Sequence, residues 1–390
     1  MKKWKLNESN FSFMDRVKIC LFFLNPKNFW TMSSKVAEFE SKMADYVGSR
    51  YAVYVSSGSA ANTLLAMYLK DHCKEEAVPH KNTIIFPSTT WTTSVSPFIR
   101  EGFYPKFIDI NLKDFSMDLD ILEGYLECNS KFVYCVFLTS LIGFVPDMGR
   151  IQSLAKKYDV IFMMDNCENT LGTFNGKNVS SFFTSTTSTY FGHQIQSVEG
   201  GFIFTNSKSE YEYFLMARNH GLTRSLKDPS HLLNKNVDSR FDFFLLGNNF
   251  RNSDIHAFIG LLDFRRIKKI KEKREKLYSA FFNQLEDKQT LVCGDEMAGH
   301  SPFCLPILCK NEEQKEALVL YCEQNNIETR PIISGNLLKQ TCYKRFDEWS
   351  SFPNSEHLNK NCFYVGLHPA VRRGDVKNLA TKINNELQNI

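Results

Sequence analysis

Several things that would settle a protein's class at once are missing from this 390-residue chain. No stretch offers the ~18 uninterrupted apolar residues that a bilayer-spanning helix needs. The N-terminal MKKWKLNESNFSFMDRVKICLFF begins like a secretory leader, yet Asp15, Arg16 and Lys18 interrupt its apolar run and no small-residue cleavage site follows. The eleven cysteines include no C-x-C or C-x-x-C pair and the histidines form no zinc-spaced cluster, which speaks for reduced thiols and no metal site. Charge of one sign is scarce too: 47 Lys plus Arg face 43 Asp plus Glu, and a net +4 is too weak to call for nucleic acid. There is no G-x-x-x-x-G-K-[ST] loop to support an ATPase. The expectation is a soluble, cytoplasmic protein without a membrane or nucleic-acid partner. What it does have is length and 43% hydrophobic residues, enough for a large core and two domains.

From Tyr51 to Asn206, short β-branched or aromatic runs alternate with helical-period segments, the pattern of a parallel sheet covered by helices. YAVYVSS, TIIFP, PKFIDI, KFVYCVF and VIFMMD read as strands. Ala60–Lys70, Leu119–Leu126 and Asp147–Tyr158 read as helices, the last N-capped by Asp147. Such sheets take ligands at the carboxyl ends of their strands, so SSGSAAN, STTW, TSLIG and DNCEN matter most. Further on, the polar RSLKDPSHLLNKNVDSR precedes GNNFRNSDIHAFIGLLDFRRIKKIKEKREKLYSAFFNQL, which predicts one long helix. Glu272 and Glu275 among its basic residues make it a solvated face rather than a nucleic-acid surface. From about Leu291 a smaller α+β unit runs to the C-terminus. The expected division is 1–250 for an N-terminal segment plus a large α/β domain, and 251–390 for the long helix plus a small α+β domain.

Each candidate site has a functional and a plain structural reading. Ser56-Ser57-Gly58-Ser59-Ala60-Ala61-Asn62 carries a strand through a glycine turn into a helix, where free N–H groups suit a phosphate or simply an N-cap. Asp165 closes the apolar VIFMMD, so its carboxylate lies at a buried sheet edge and needs a partner. A protonated pyridine nitrogen would serve, and a helix cap is the alternative. Trp91, after FPSTT, can stack on a cofactor ring or fill a core. Ser188 and His193 lie in STTSTYFGHQIQSVEGGFIFTN, where Glu199-Gly200-Gly201 turns into another strand. A lone histidine is more often packed than catalytic.

The order SSGSAAN, PSTTW, DNCENTLG, STYFGHQIQSVEGG and GNNFRNSDIHA resembles the sugar aminotransferase family of fold-type-I pyridoxal phosphate enzymes. The likeness runs from FWTMSSKVAEFE to SGNLLKQT and FYVGLHPA. It implies an α/β fold with a mostly parallel seven-stranded sheet, a smaller α+β C-terminal domain, and a homodimer whose active sites draw on both subunits. By the same resemblance Gly58, Ser59 and Ser188 hold the cofactor phosphate, Trp91 stacks over the ring and Asp165 meets its nitrogen. Glu168 falls near the phenolic oxygen, and Asn249 reaches the cofactor of the neighbouring subunit.

One departure decides the implied chemistry. The family's aminotransferases carry a lysine six residues before the EGG glutamate, where it forms a Schiff base with the cofactor; here that residue is His193. An imidazole cannot form an imine. Histidine at this position, with SSGSAAN, DNCE, NHGLTR and RPIISGNLLK, resembles the family's sugar 3-dehydratases. The implied reaction removes the 3-hydroxyl of a nucleotide-linked 4-keto-6-deoxyhexose, a GDP-linked mannose derivative foremost, for the dideoxy sugars of lipopolysaccharide O-antigens. L-glutamate would convert pyridoxal 5'-phosphate to pyridoxamine 5'-phosphate, His193 would act as the base, and Asp165 would keep the ring nitrogen charged. His220, Arg224, Arg251 and Arg330 are candidates for the glutamate carboxylates or the sugar diphosphate. The missing C-x-C argues against the iron–sulfur cluster and reductase partner of the other histidine-type enzymes, and Ser33 departs from a glycine common in the family. The alternatives are an aminotransferase or 3-dehydratase for another 4-keto nucleotide sugar, or a non-catalytic sensor that keeps the fold.

Overall fold

The computed structural model describes residues 3–75, 81–286, 299–346 and 351–388. The five apolar runs anticipated from sequence become β1 (Tyr51–Val55), β2 (Thr83–Pro87), β3 (Tyr104–Ile108), β4 (Val133–Thr139) and β5 (Ile161–Asp165). A small hairpin, β6 (Thr173–Phe174) and β7 (Lys177–Asn178), leads into β8 (Thr184–Ser188) and β9 (Gly201–Thr205). The order across the main sheet is β1-β9-β8-β5-β4-β2-β3. All its strands run one way except β9, which is antiparallel to both neighbours. The short loop 189–200 joins β8 to β9 without a crossover helix, and only an antiparallel return permits that. Every residue of β2, β4 and β9 is buried, as a sheet covered on both faces requires.

Helices Gly58–Glu75, Leu119–Asn129 and Met148–Tyr158 supply the covering layers. Asp147 caps the last by accepting the Arg150 N–H, as its sequence position predicted, and Asp118 caps Leu119–Asn129. The smaller unit is α+β, built on β10 (Cys304–Leu308), β11 (Thr329–Arg330) and β12 (Cys362–Gly366) in the antiparallel order β10-β12-β11. Leu305, Phe363, Leu379 and Phe281 share its core. The N-terminal arm joins it there: Trp4 is buried and donates its indole N–H to the Gly366 carbonyl at 2.8 Å. The expected start of this unit near Leu291 falls outside the described residues.

The single long helix expected after Asn206 is two helices, Asp254–Phe264 and Ile267–Phe282. The chain turns at Arg265–Arg266, where Arg266 takes φ −105°, ψ 0° and its guanidinium pairs with Asp15 and Asp263. Two cores pull on the two halves. Ala257 and Leu261 pack with Val36 and Phe39 of helix Ser34–Val47 beside the large sheet, whereas Leu277 and Phe281 join Leu379 and Ile383 in the smaller unit. No described helix is long and apolar enough to cross a membrane, and the ten described cysteines are all free.

Candidate active site

The carboxyl ends of β1, β4, β5 and β8 open into a cavity of about 440 Å³ that the smaller unit walls with Phe303, Arg330 and Tyr364. Asp165, the last residue of β5, sits in it at 3% exposure. Its Oδ2 accepts the Asn62 amide and the Ser94 hydroxyl, both at 2.7 Å, and its Oδ1 accepts the Cys167 N–H at 2.9 Å. Asn62 is itself oriented by the Thr186 hydroxyl, 2.6 Å from its Oδ1. A carboxylate has about four acceptor positions, and the Cys167 thiol also bonds to this one, so what the site lacks is a positive charge rather than a donor. Among the described residues no cation pairs with it, and a buried carboxylate without one is costly unless a ligand supplies it. A protonated pyridine nitrogen fits that vacancy of charge.

The turn after β1 supplies donors for an anion. Ser57 accepts the Ala60 N–H at 3.0 Å and so caps the 18-residue helix that begins at Gly58. Ser59 pairs with Thr93 at 2.9 Å, and Ser188 lies across the turn. Glycine is required at position 58, because a Cβ there would stand 2.8 Å from Cys167 Sγ and 3.0 Å from Ser188 Cβ. Gly201 completes the junction: its Cβ would fall 2.6 Å from the Gly58 nitrogen, which gives the EGG turn a packing reason. Backbone N–H groups at a helix start, flanked by three hydroxyls, suit a phosphate. Trp91 stands at the cavity mouth, 56% exposed, with its ring free to cover a planar ligand.

His193 lies on the loop between β8 and β9, its ring stacked on Phe303 with centroids 5.5 Å apart. Its Nδ1 is buried and has no hydrogen-bond partner among the described residues. Burial holds its pKa down to about 4, with the Arg274 charge acting the same way and Asp165 and the Cys167 backbone opposing. The imidazole is therefore neutral near pH 7 and able to accept a proton. Burial pushes the Glu168 carboxyl up to about 7, helped by the Asp165 charge and opposed by the Ile142 N–H that its Oε2 accepts at 2.9 Å. A neutral base and a carboxyl near half-protonation thus share one cavity, a pairing suited to moving protons.

Of the residues singled out from sequence, Gly58, Ser59, Trp91, Asp165, Glu168, Ser188, His193 and Arg330 line this cavity. Asn249, His220, Arg224 and Arg251 lie elsewhere. Asn249 bridges to Asn219 and accepts the Arg251 Nε–H at 3.1 Å, while Arg251 also reaches Asn219 Oδ1 at 3.0 Å. Arg224 lies over the Phe241 ring at 5.6 Å, and His220 turns the chain with φ +62°. Sequence reasoning included Asn62 in the candidate turn without giving it a role and passed over Ser94, the two side chains that hold Asp165. Asn62 stands one helical turn after Gly58, a spacing that carried the signal. Phe303 and Tyr364, from the smaller unit, left no local trace.

The cradle for an anion, the unpaired carboxylate and the exposed ring together fit pyridoxal phosphate. Comparison with known proteins points the same way. GDP-4-keto-6-deoxy-D-mannose 3-dehydratase of Escherichia coli O55:H7 is 30% identical over 349 residues, 87% of this chain and 89% of the relative. An E. coli GDP-4-keto-6-deoxy-D-mannose-3-dehydratase structure with bound hydrated PLP is 27% identical and superposes with a TM-score of 0.88, covering 98% of this chain and 100% of that one. A structure of GDP-4-keto-6-deoxymannose-3-dehydratase with a trapped PLP-glutamate geminal diamine, 28% identical, gives 0.87 over 97% and 100%. The sequence profile of the DegT/DnrJ/EryC1/StrS aminotransferase family matches residues 22–384. From the matched length and the shared architecture, the chain belongs to the DegT/DnrJ/EryC1/StrS aminotransferase family.

Proposed function

We propose that this chain is a cytoplasmic nucleotide-sugar 3-dehydratase that uses pyridoxal or pyridoxamine phosphate with glutamate as amino donor, acting on GDP-4-keto-6-deoxy-D-mannose to give the 4-keto-3,6-dideoxy sugar. The observation that carries this reading is His193, a neutral imidazole with a buried, unpartnered nitrogen where the family's aminotransferases hold lysine. The cofactor, when bound, supplies the amine and the electron-withdrawing ring. Asp165 would hold a proton at the ring nitrogen by its charge, and Gly58, Ser59 and Ser188 would hold the phosphate. Trp91 covers the ring and excludes water from one side. With the cofactor bound, His193 would take the proton of the cofactor's methylene carbon at its own free nitrogen and return it to the departing 3-hydroxyl oxygen, which leaves as water, a role worth roughly 10²–10⁴-fold. Without a lysine at position 193, nothing at that place recaptures the product amine, which favours release and loss of ammonia in water.

The working unit of this proposal is a homodimer. His220, Arg224, Asn249 and Arg251 sit outside the chain's own cavity, on a segment that also exposes Phe241, Phe243 and Leu246. Such a segment gains by burying its apolar side chains against a second copy, bringing its arginines to a partner's cavity. The test is mass spectrometry of GDP-4-keto-6-deoxymannose after incubation with the protein, pyridoxal phosphate and glutamate. Loss of one sugar oxygen that depends on glutamate and on His193 is the expected result. A stable amine would make the chain an aminotransferase, and an unchanged sugar would refute this substrate.

A further inference from the structure

Behind the cavity wall lies an arginine that does not itself line the cavity. Arg274, on helix Ile267–Phe282, is 1% exposed, and its Nη1 donates to the main-chain carbonyl of Phe303. Its Nε is buried without a hydrogen-bond partner among the described residues, and the Asp263 carboxylate acts on it only through space. A guanidinium kept in such a place is poorly explained by stability, since an apolar side chain of similar volume is often equal or better there. What it holds is more telling. The Phe303 ring stacks on His193 at 5.5 Å with 29° between the planes. The Phe303 N–H goes to the Ile142 carbonyl at 2.8 Å, and the Ile142 N–H is the one that Glu168 accepts at 2.9 Å.

The Ile142 peptide is under strain. Ile142 has φ +60°, a left-handed conformation that is unfavourable for a β-branched residue and persists only where its surroundings enforce it. The enforcing contacts come from the segment that ends in Phe303: Ser301 donates to the Gly143 carbonyl at 2.8 Å, and Phe303 to Ile142. At Gly143, φ +87°, a Cβ would lie 1.8 Å from the Ser301 carbonyl oxygen, so the two segments are in direct backbone contact. One residue, Phe303, therefore meets the base through its ring and, through its N–H on the Ile142 carbonyl, braces the residue whose own N–H the Glu168 carboxyl accepts, and Arg274 grips its remaining backbone group.

We propose that Arg274 is a positioning residue for both His193 and Glu168, acting through Phe303. The inference rests on His193 being the base, and its test separates the two ideas. Full-length Arg274→Met, Arg274→Lys, Phe303→Leu and the Arg274→Met/Phe303→Leu double variant are compared for kcat and KM on GDP-4-keto-6-deoxymannose, with His193→Asn as reference. Arg274→Met and Phe303→Leu each lower kcat by roughly 10²-fold, the cost of about 1 Å of misplacement, with KM unchanged. The double variant falls no further than the worse single, because both remove the same support. Lysine at 274, which can still donate to the carbonyl, recovers most of the loss. In protein without cofactor, the ring-current shift on the His193 Hε1 proton collapses in Arg274→Met towards its value in Phe303→Leu.

Losses that multiply to about 10⁴-fold in the double variant would overturn the proposal, since independent sites add in free energy. So would a wild-type kcat in Phe303→Leu, or an unmoved Hε1 shift in Arg274→Met. Should Arg274→Met fail to fold, the Phe303→Leu and Arg274→Lys rates decide. Turnover surviving in His193→Asn would refute the base itself, whereas its loss there alone would refute only the positioning.

Discussion

Replacing Glu168 with glutamine should stabilise the protein and damage its function, by an amount set by pH. Glutamine matches the protonated carboxyl in shape, and its amide oxygen can still accept the Ile142 N–H. In the folded chain Glu168 titrates at about 7 against an ordinary 4.5. The folded state therefore keeps its proton through a window in which the unfolded chain has lost it. This contribution to stability is full below 4.5, declines as pH rises towards 7, and stays constant above. The gap is worth at most about 3 kcal/mol, reduced by water in the cavity, which Glu168 partly faces. Glutamine has no proton to lose, so the stability of Glu168→Gln relative to wild type should climb by up to about 3 kcal/mol between pH 4.5 and 7, then level off. His193, held at about 4 against an ordinary 6.5, contributes the opposite slope in both proteins and cancels from the difference. Urea unfolding of cofactor-free protein at intervals from pH 4.5 to 8 reads this directly. A pH-independent difference, or a wild type that gains on the variant as pH rises, would refute the account of Glu168.

Two further outcomes follow from the geometry. In Asp165→Asn the new amide must point its N–H groups at one of three existing donors, leaving a buried donor unpaired at about 1–3 kcal/mol. Loss of the charge-assisted contact should also weaken pyridoxal phosphate binding by about tenfold or more, read by absorbance titration; wild-type affinity would contradict the role given to Asp165. If sites are shared between subunits, mixing inactive His193→Asn with inactive Arg224→Ala protein should restore part of the activity, as hybrid dimers regain one complete site. No recovery after verified subunit exchange would count against the shared site.

What could be read from the sequence was what local pattern records. The strands were visible because runs such as VIFMMD are buried on both faces, and Asp147 announced its helix because a cap acts within three residues. The cavity residues after β1, β2, β4 and β5 followed from the rule that such sheets bind at their carboxyl ends, whereas the roles of Ser188 and His193 beside β8 came only from the family resemblance. The turn at Arg265–Arg266 was hidden, because RRIKKIKEK keeps helical character straight through and the break is imposed by two separate cores. Phe303 was hidden for the same reason: its importance comes from His193 and Ile142, more than a hundred residues earlier in the chain. Contacts of that range leave no periodicity to find.

The loop bearing His193 also explains how one fold can host different chemistry. Several of its fixings lie beside position 193, whose own side chain adds the stack on Phe303. Gln194 accepts the Leu171 N–H at 3.0 Å and donates to Ser301 Oγ at 2.9 Å. The Gln196 N–H meets Asp263 at 2.9 Å, and Ser197 binds the Tyr54 hydroxyl at 2.8 Å. Gly200 must be glycine, since a Cβ there would stand 2.5 Å from that same hydroxyl. Those fixings do not depend on the side chain at 193, so what exchanging a lysine for a histidine alters in the fold is the contact with Phe303. It changes the reaction instead: a group that bonds to the cofactor gives way to one that can only move protons. Asp165, Ser59 and Ser188 line the same cavity as His193, and the roles proposed for them, holding the ring nitrogen's proton and the phosphate, suit either chemistry.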